Sequence, residues 1–262
     1  MVRKTISNSI VEQSKFWVPA QVKPRRGKRR GNTSPRKQDE NGELAIRQLA
    51  RVLNCNFSRG DFLLTLKYDE AGMERISGDR DEGERQLFLC LRRMARAFKA
   101  AGYPQMPRVA MTSEKDEETG EVVRLHHHLV ISGAAFSLRE GILYLGKKPM
   151  DAVWGFGTVD WQGMRQGDKT PLAVYLCRQA RCGENEKKWT TSQHLKKPII
   201  SERIAKPGEL KVPAGAATLQ NGNYDPETGT HYIRYRIPEP KEPKEATSGG
   251  GRKVGRKKGE KR

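Results

Sequence analysis

The sequence has few cysteines, and none of them are paired at a spacing typical of zinc binding or of a disulfide framework. Its four cysteines include no Cys-x-x-Cys pair, so neither a zinc ribbon nor a disulfide-rich secreted fold is expected. No apolar run is long enough to span a bilayer, and the polar N-terminus lacks the apolar segment of a signal peptide. A Walker phosphate loop is also missing. These absences favour a cytoplasmic protein without a helicase motor of its own.

Positive charge is what the sequence has in excess, and it is concentrated at the two ends. Lys and Arg number 50 against 31 Asp and Glu, which gives a formal charge of +19 over 262 residues. Residues 1–37 contribute +10 and residues 238–262 contribute +5. Such a charge favours a polyanionic partner, nucleic acid before membrane, and a role in solubility is the alternative. Because both ends are rich in Gly, Pro, Lys and Arg, we predict disordered basic arms over residues 1–42 and 238–262.

A strand-like segment carries three of the five histidines. Residues 124–131 read RLHHHLVI, and side chains in a strand alternate between its two faces. His126 and His128 therefore share one face, while His127 shares the other face with apolar neighbours. Two neutral imidazoles on one face can hold a divalent cation, so His126 and His128 are candidate metal ligands. His127 is expected to be a hydrogen-bonded core histidine, although a β-bulge would shift these faces.

Helix-like and strand-like patterns alternate along the middle of the chain. The main segments are helices at residues 44–54 and from Asp81 to Gly102, and strands at residues 62–68 and 107–114. A polar turn would join the second of these strands to the histidine strand as a hairpin. This order predicts an α+β fold in which a central antiparallel sheet has helices packed on one face. We expect a folded domain over residues 43–205, followed by a C-terminal extension over residues 206–237.

A later helix carries a candidate nucleophile. Thr170 and Pro171 are typical of a helix start, and the helix that they open presents Tyr175 with a cation, Arg178, one turn further on. A tyrosine on a helix is most often a packing residue. With a neighbouring cation and a phosphate polarised by a metal ion, however, even a weakly nucleophilic phenol can attack.

Four segments of this sequence, in order, resemble motifs of rolling-circle replication initiators of the HUH endonuclease superfamily. The most similar type is the single-tyrosine enzyme of bacterial plasmids and prophages. The segments are residues 62–68, residues 124–131, residues 175–178 and WTTSQHLKKP at residues 189–198. The histidine motif is short, but four signals in the right order are far more specific than one.

The resemblance implies a metal-dependent, site-specific DNA endonuclease and strand transferase with an HUH-type fold. In such enzymes the strand histidines hold Mg²⁺ or Mn²⁺. The tyrosine attacks the scissile phosphate of single-stranded or stem-loop origin DNA, leaving a 5′-phosphotyrosine and a free 3′-hydroxyl. Carried over to this sequence, His126 and His128 are the metal ligands, Tyr175 is the nucleophile and Arg178 is the phosphate contact. Glu114 is the candidate third ligand, and a solvated carboxylate at a strand end is the alternative for it.

The resemblance also implies contacts with DNA and with host enzymes. Candidate DNA-binding residues are Arg124, Lys187, Lys188, Trp189, Lys196 and Lys197. A host polymerase would extend the 3′-hydroxyl, and a host helicase would unwind the duplex. A relaxase or a single-strand DNA transposase shares this chemistry and stays an alternative. A basic DNA-binding regulator without catalytic activity is the alternative of a different class.

Overall fold

The computed structural model describes residues 1–17, 35–115, 119, 121–180, 188–205, 210–222 and 230–238, with the backbone alone at 35–40 and 115. Its helices are α1 (Pro35–Asn56), α2 (Glu70–Arg75), α3 (Arg80–Ala100), α4 (Met150–Trp154) and α5 (Thr170–Gln179). Its strands are β1 (Val2–Ser7), β2 (Ile10–Lys15), β3 (Phe62–Lys67), β4 (Arg108–Lys115), β5 (Val122–Ile131), β6 (Phe136–Arg139), β7 (Ile142–Leu145), β8 (Lys148–Pro149), β9 (Val159–Gly163), β10 (Thr190–Thr191), β11 (Ile199–Arg203), β12 (Ala217–Asn221) and β13 (His231–Arg236). No helix among these is long and apolar enough to cross a membrane.

The centre of the molecule is a five-stranded antiparallel sheet in the order β10-β4-β5-β3-β9. The histidine strand β5 lies in its middle and pairs with β4 as the second arm of a hairpin. On its other side β5 pairs with β3, where Lys67 is opposite His126 and Thr65 is opposite His128. The predicted hairpin and the predicted strand at residues 62–68 are both confirmed.

Helices cover both faces of this central sheet. Met94 and Phe98 of α3 lie in a core cluster with Leu129 of β5. On the opposite face α1 and α5 form a second cluster with Val130. The expectation of helices on one face is therefore wrong, and the reason is visible in the strand itself. Residues 129–131 are apolar at every position, so both faces of β5 have to be covered.

A second five-stranded antiparallel sheet has the order β11-β1-β2-β13-β12. Residues 1–15 form its central hairpin rather than part of the disordered arm expected over residues 1–42, and α1 already begins at Pro35. The basic residues suggested disorder, but this segment contains two strands in which Val2, Ile10 and Val11 are buried. The expected C-terminal extension supplies β12 and β13. The basic residues 18–34 and 239–262 lie outside the described residues.

A polar junction, which we define by Glu12, Arg51 and Tyr232, joins this second sheet to α1. Glu12 is 7 % exposed, and its carboxylate accepts hydrogen bonds from Arg51 Nε of α1 and from the Tyr232 hydroxyl of β13. Two carboxylate oxygens are thus paired with donors from two different elements, as a buried charge requires. Directional contacts therefore hold the second sheet against α1.

Candidate functional site

The three histidines of β5 divide between the two faces of the sheet as strand alternation predicts. His127 is fully buried under α3, where its Nε2 lies 2.9 Å from the Tyr68 hydroxyl and its Nδ1 lies 3.1 Å from Thr112 Oγ1. Burial, with a smaller contribution from the neighbouring His126 and His128, lowers the pKa of His127 to about 3. The prediction of a hydrogen-bonded core histidine is confirmed.

His126 and His128 face the other way, into an open cleft of about 550 Å³ beside α5. Side chains from β3, β5, β9 and α5 line it, and those that carry polar groups include Thr65, Lys67, Arg124, His126, His128, Thr158, Asp160, Gln162, Tyr175 and Gln179. Lys67 forms an ion pair with Asp160 across the floor. The cleft therefore combines the two predicted metal ligands with the predicted nucleophile.

Three side-chain atoms converge on one point of this cleft. Gln179 Oε1 lies 2.7 Å from His128 Nε2 and 3.4 Å from His126 Nε2, and the two imidazole rings are 4.9 Å apart. His126 Nδ1 is 2.9 Å from the carbonyl oxygen of Arg124, so this nitrogen is the donor and Nε2 keeps its lone pair toward the cleft. Such a backbone contact fixes the tautomer that a metal ligand needs.

Burial keeps His128 neutral at physiological pH. It lowers the pKa of this imidazole to about 4, against the contact with Gln179, which favours the protonated form. Nδ1 of His128 lies 3.2 Å from Thr65 Oγ1 on β3, which orients the ring. Because an amide oxygen only accepts, the contact with Gln179 Oε1 places the proton of the neutral ring on Nε2. A metal bound at Nε2 would move that proton to Nδ1, where the Thr65 hydroxyl can accept it.

The donor set of the cleft fits a divalent cation held by two imidazoles and one amide oxygen. Carbonyl oxygens suit Mg²⁺ and Mn²⁺, and imidazoles favour transition metals, so this set suits Mn²⁺ better than Mg²⁺. No third His, Cys, Asp or Glu joins the two histidines within the described part of the chain. Helical spacing puts Gln179 on the face of Tyr175, four residues away, but by itself gives this amide no role.

Glu114, the third ligand suggested by the sequence, does not line the cleft. Two residues before it, Thr112 points toward α3 and contacts His127. The pairing of β4 with β5 then shifts between Ser113 and Lys115, so the regular alternation ends at Glu114. The expectation for Glu114 is therefore corrected, and Gln179 from α5 occupies the corresponding place beside the histidines.

Of the two candidate residues on α5, only Tyr175 lies in the cleft. Its ring is 5.5 Å from that of His128, edge to face, and it is partly buried. Arg178 is exposed and is not among the cleft-lining residues, so the expected phosphate contact is not placed there. Two cations do line the cleft next to the histidines: Lys67, which is paired with Asp160, and Arg124, whose Nη1 donates to the carbonyl oxygen of Tyr68.

The remaining candidate DNA-binding residues lie on other surfaces. Lys196 and Lys197 are exposed at a separate groove of about 420 Å³, where Asn56 of α1 pairs with the backbone N–H and carbonyl oxygen of Lys196. Trp189 packs partly buried against the α1 and α5 cluster, and Lys188 is half-buried beside it. Lys187 lies outside the described residues.

No protein-family model, curated protein or solved structure matches this chain. The support for a function therefore comes from the residues of the cleft and from the four sequence motifs described above.

The burial of His127 and His128 predicts a loss of stability in mild acid. Their pKa values in the fold, about 3 and about 4, lie below the unfolded value of about 6.5. Between these limits the unfolded chain takes up two protons that the folded protein does not, so stability is present above about pH 6.5 and falls as the pH falls. Each proton lowers the free energy of unfolding by about 1.4 kcal/mol per pH unit. Chemical denaturation between about pH 7 and pH 4 measures the slope of the free energy of unfolding against pH.

A His127→Gln variant is the control for this slope. The amide keeps a donor and an acceptor for Tyr68 and Thr112 but does not titrate. We expect it to lower stability at neutral pH by about 1–3 kcal/mol and to remove about half of the acid slope. An unchanged slope would contradict a buried, neutral His127.

Proposed function

We propose that this protein is a metal-dependent DNA nickase and strand transferase that uses Tyr175 as its nucleophile. The observation that carries the proposal is the convergence of Tyr175, His126, His128 and Gln179 in one open cleft. These residues come from a strand and a helix about 50 positions apart in the sequence. A phenol beside a metal-competent set of donors is an arrangement that can support covalent phosphoryl transfer.

His126, His128 and Gln179 would hold the divalent cation, which would polarise the scissile phosphate as a Lewis acid. Tyr175 then attacks phosphorus in line with the departing 3′-oxygen. A bond forms between the phenolic oxygen and phosphorus, and the bond from phosphorus to the 3′-oxygen breaks. The phenol loses one proton and the 3′-oxygen gains one, so the step needs no ATP and its phosphodiester energy is kept in a 5′-phosphotyrosine.

The cleft also suits a single strand of DNA in its open shape and its polar lining. Its lining extends to the edge strand β9, where Asp160 and Gln162 lie on the cleft side. Arg124 provides positive charge next to the histidines, and Lys67 is half exposed beside Asp160. Polar side chains on a sheet floor can contact unpaired bases, while cations neutralise phosphates. A duplex would have to open before its scissile phosphate reached Tyr175.

The biological role that we propose is initiation of rolling-circle replication, with a host helicase and polymerase as partners. This part of the proposal rests on the resemblance of the four motifs. Cleavage of a replication origin, rather than of a transfer origin or a transposon end, is the readout that distinguishes it from the relaxase and transposase alternatives.

A covalent trapping experiment tests the proposed chemistry. The protein is incubated with Mn²⁺ and a pool of 3′-labelled stem-loop oligonucleotides whose loops are randomised, and the products are separated on a denaturing protein gel. Labelled protein that survives denaturation is expected, because the fragment downstream of the nick stays attached to Tyr175. A chelator should abolish the band. A regulator without catalytic activity would shift the same DNA on a native gel and leave no label on denatured protein, which would refute the proposal.

The basic residues 23–30 are expected to supply affinity without sequence preference. Replacing the six cations of this segment (Lys23, Arg25, Arg26, Lys28, Arg29 and Arg30) with Gln should weaken binding to any single strand. The slope of log Kd against log salt should fall by about 0.7 for each phosphate that the protein no longer neutralises. Fluorescence anisotropy at several salt concentrations measures it, and loop preference should survive.

A matched control replaces Arg92, Arg96 and Lys99 with Gln. These cations are exposed on α3, which covers the face of the sheet opposite the cleft, so their removal should change the slope little. An equal effect of both replacements per charge removed would mean that the segment at residues 23–30 acts only through net charge.

A further inference from the structure

The helix that carries Tyr175 is held at its first turn by a cluster of side chains. Asp168 Oδ1 accepts hydrogen bonds from the backbone N–H of Thr170, at 3.0 Å, and from its hydroxyl, at 2.7 Å. Asn54 of α1 accepts from the backbone N–H of Lys169, at 2.8 Å. These contacts satisfy donors that a helix start leaves without an intrahelical partner. They also tie the start of α5 to α1.

A residue from the far end of the chain completes this cluster. Arg234 of β13 donates from Nη1 to Thr170 Oγ1, at 2.8 Å, and its Nη2 lies 3.5 Å from Asp168 Oδ2. The side chains of Arg234 and Asp168 are 17 % and 14 % exposed, so solvent screens this pair only partly. Arg234 thereby connects the second sheet directly to the start of the nucleophile helix.

The cost of burying Arg234 indicates a role beyond general stability. Its Nε is buried without a hydrogen-bond partner among the described residues, and an unpaired buried donor destabilises a fold. Buried ion pairs are commonly matched or exceeded in stability by apolar residues of similar volume. What an arginine provides that an apolar residue cannot is direction, because its planar fork fixes the two groups it contacts.

The position of α5 along its own axis matters for the cleft at its far end. The helix has ten residues, so Tyr175 is its sixth and Gln179 its last. Apolar packing of α5 on α1 through Ala173, Leu176 and Cys177 is non-directional, whereas the hydrogen bonds at Thr170 set the axial position and rotation. A displacement of about 1 Å at a reacting group can cost about 100-fold in rate.

We propose that Arg234 is a positioning residue that sets the placement of Tyr175 and Gln179 against His126 and His128. The second sheet is then part of the catalytic apparatus rather than a separate module. This inference rests on the proposed function for its consequence in catalysis, but the placement itself can be measured without DNA or metal.

The placement is tested by NMR of the histidine rings. Arg234→Met keeps the apolar volume of the side chain and removes both contacts to α5. Tyr235→Phe is the matched control, since it removes only the hydroxyl that accepts from Gln13 in the same sheet and lies on the face of β13 opposite Arg234. Long-range ¹H–¹⁵N spectra of the imidazoles should shift for His126 and His128 in Arg234→Met and stay as in the wild type in Tyr235→Phe. Unchanged spectra in Arg234→Met, or equal shifts in both variants, would overturn the proposal.

The catalytic consequence is tested at a temperature at which all variants are folded. Arg234→Met is expected to lower the single-turnover rate of adduct formation by about 10–100-fold while Kd for the stem-loop DNA changes less than about threefold. Arg234→Lys should recover part of the rate, because it keeps a donor near Asp168 but not the fork. A wild-type protein that forms no adduct would refute the proposed function, and the imidazole spectra would still decide the placement. A normal rate in Arg234→Met would overturn the role of Arg234 alone.

Discussion

A Tyr175→Phe variant should fold, bind DNA and bind metal, yet form no covalent adduct. Phenylalanine keeps the ring that packs edge to face on His128 and removes only the hydroxyl. Because the hydroxyl oxygen is the atom that bonds to phosphorus, we expect cleavage to fall at least about a thousand-fold, as removal of a nucleophile does in other covalent enzymes. Mass spectrometry of the trapped wild-type complex should place the 5′-phosphate on the tryptic peptide of residues 170–178.

The matched control for this variant is Tyr144→Phe. Tyr144 lies on β7, where its ring is covered by Arg139, and it does not line the cleft. Removal of its hydroxyl should leave cleavage unchanged. An adduct on Tyr144, Tyr103 or Tyr68, or undiminished cleavage by Tyr175→Phe, would contradict the assignment and favour metal-activated water as the nucleophile.

The second large effect is expected at the metal ligands. His126→Ala and His128→Ala should each abolish nicking and weaken Mn²⁺ binding by more than the about 10–100-fold that removing a hydrogen-bond partner of a ligand costs. Gln179→Ala should weaken Mn²⁺ binding too. Gln179→Glu keeps an oxygen donor and adds a negative charge, so it should retain Mn²⁺ binding. Mn²⁺ titration followed by electron paramagnetic resonance measures affinity, and Mn²⁺ should support nicking at lower concentration than Mg²⁺.

His127→Gln is the control for the metal ligands. His127 lies on the opposite face of β5, so its replacement should reduce stability and leave Mn²⁺ affinity close to the wild type. If His127→Gln failed to bind the metal while His126→Ala still bound it, the assignment of faces along β5 would be wrong. Equal Mn²⁺ affinity in Gln179→Ala and in the wild type would remove the amide from the ligand set.

The assignment of the histidines to opposite faces could be predicted from the sequence because it depends on local geometry. Alternation along one strand sends His126 and His128 to one side whatever the rest of the chain does. The two core clusters follow the same alternation, since Leu129 and Val130 lie under different helices. For Glu114 the sequence did not show which face of β4 lies beside His126 and His128: Thr112, two residues earlier, pairs with His127 and shares its face. That choice depends on the register between β4 and β5, which the composition of neither strand reveals.

Contacts between distant elements could not be predicted in this way. Gln179 reaches the histidines only because α5 docks on a particular part of the sheet, and a helical wheel cannot tell which of Arg178 and Gln179 faces that strand. The N-terminal strands were not predicted because the basic residues of this segment suggested disorder. Residues 1–15 look like a basic arm until β1 is paired with β11 and β2 with β13, partners about 200 residues away.

The pairing of β2 with β13 also means that the second sheet can form only late in synthesis. The N-terminal hairpin leaves the ribosome first, but its partner strands at residues 199–203 and 231–236 are made more than 180 residues later. Contacts of such long sequence separation form late and slowly. A nascent chain that already contains β5 and α5 still lacks Arg234, so its cleft residues exist before the last contact to the start of α5. A chain that stopped before residue 231 would carry every ligand and the nucleophile without that contact.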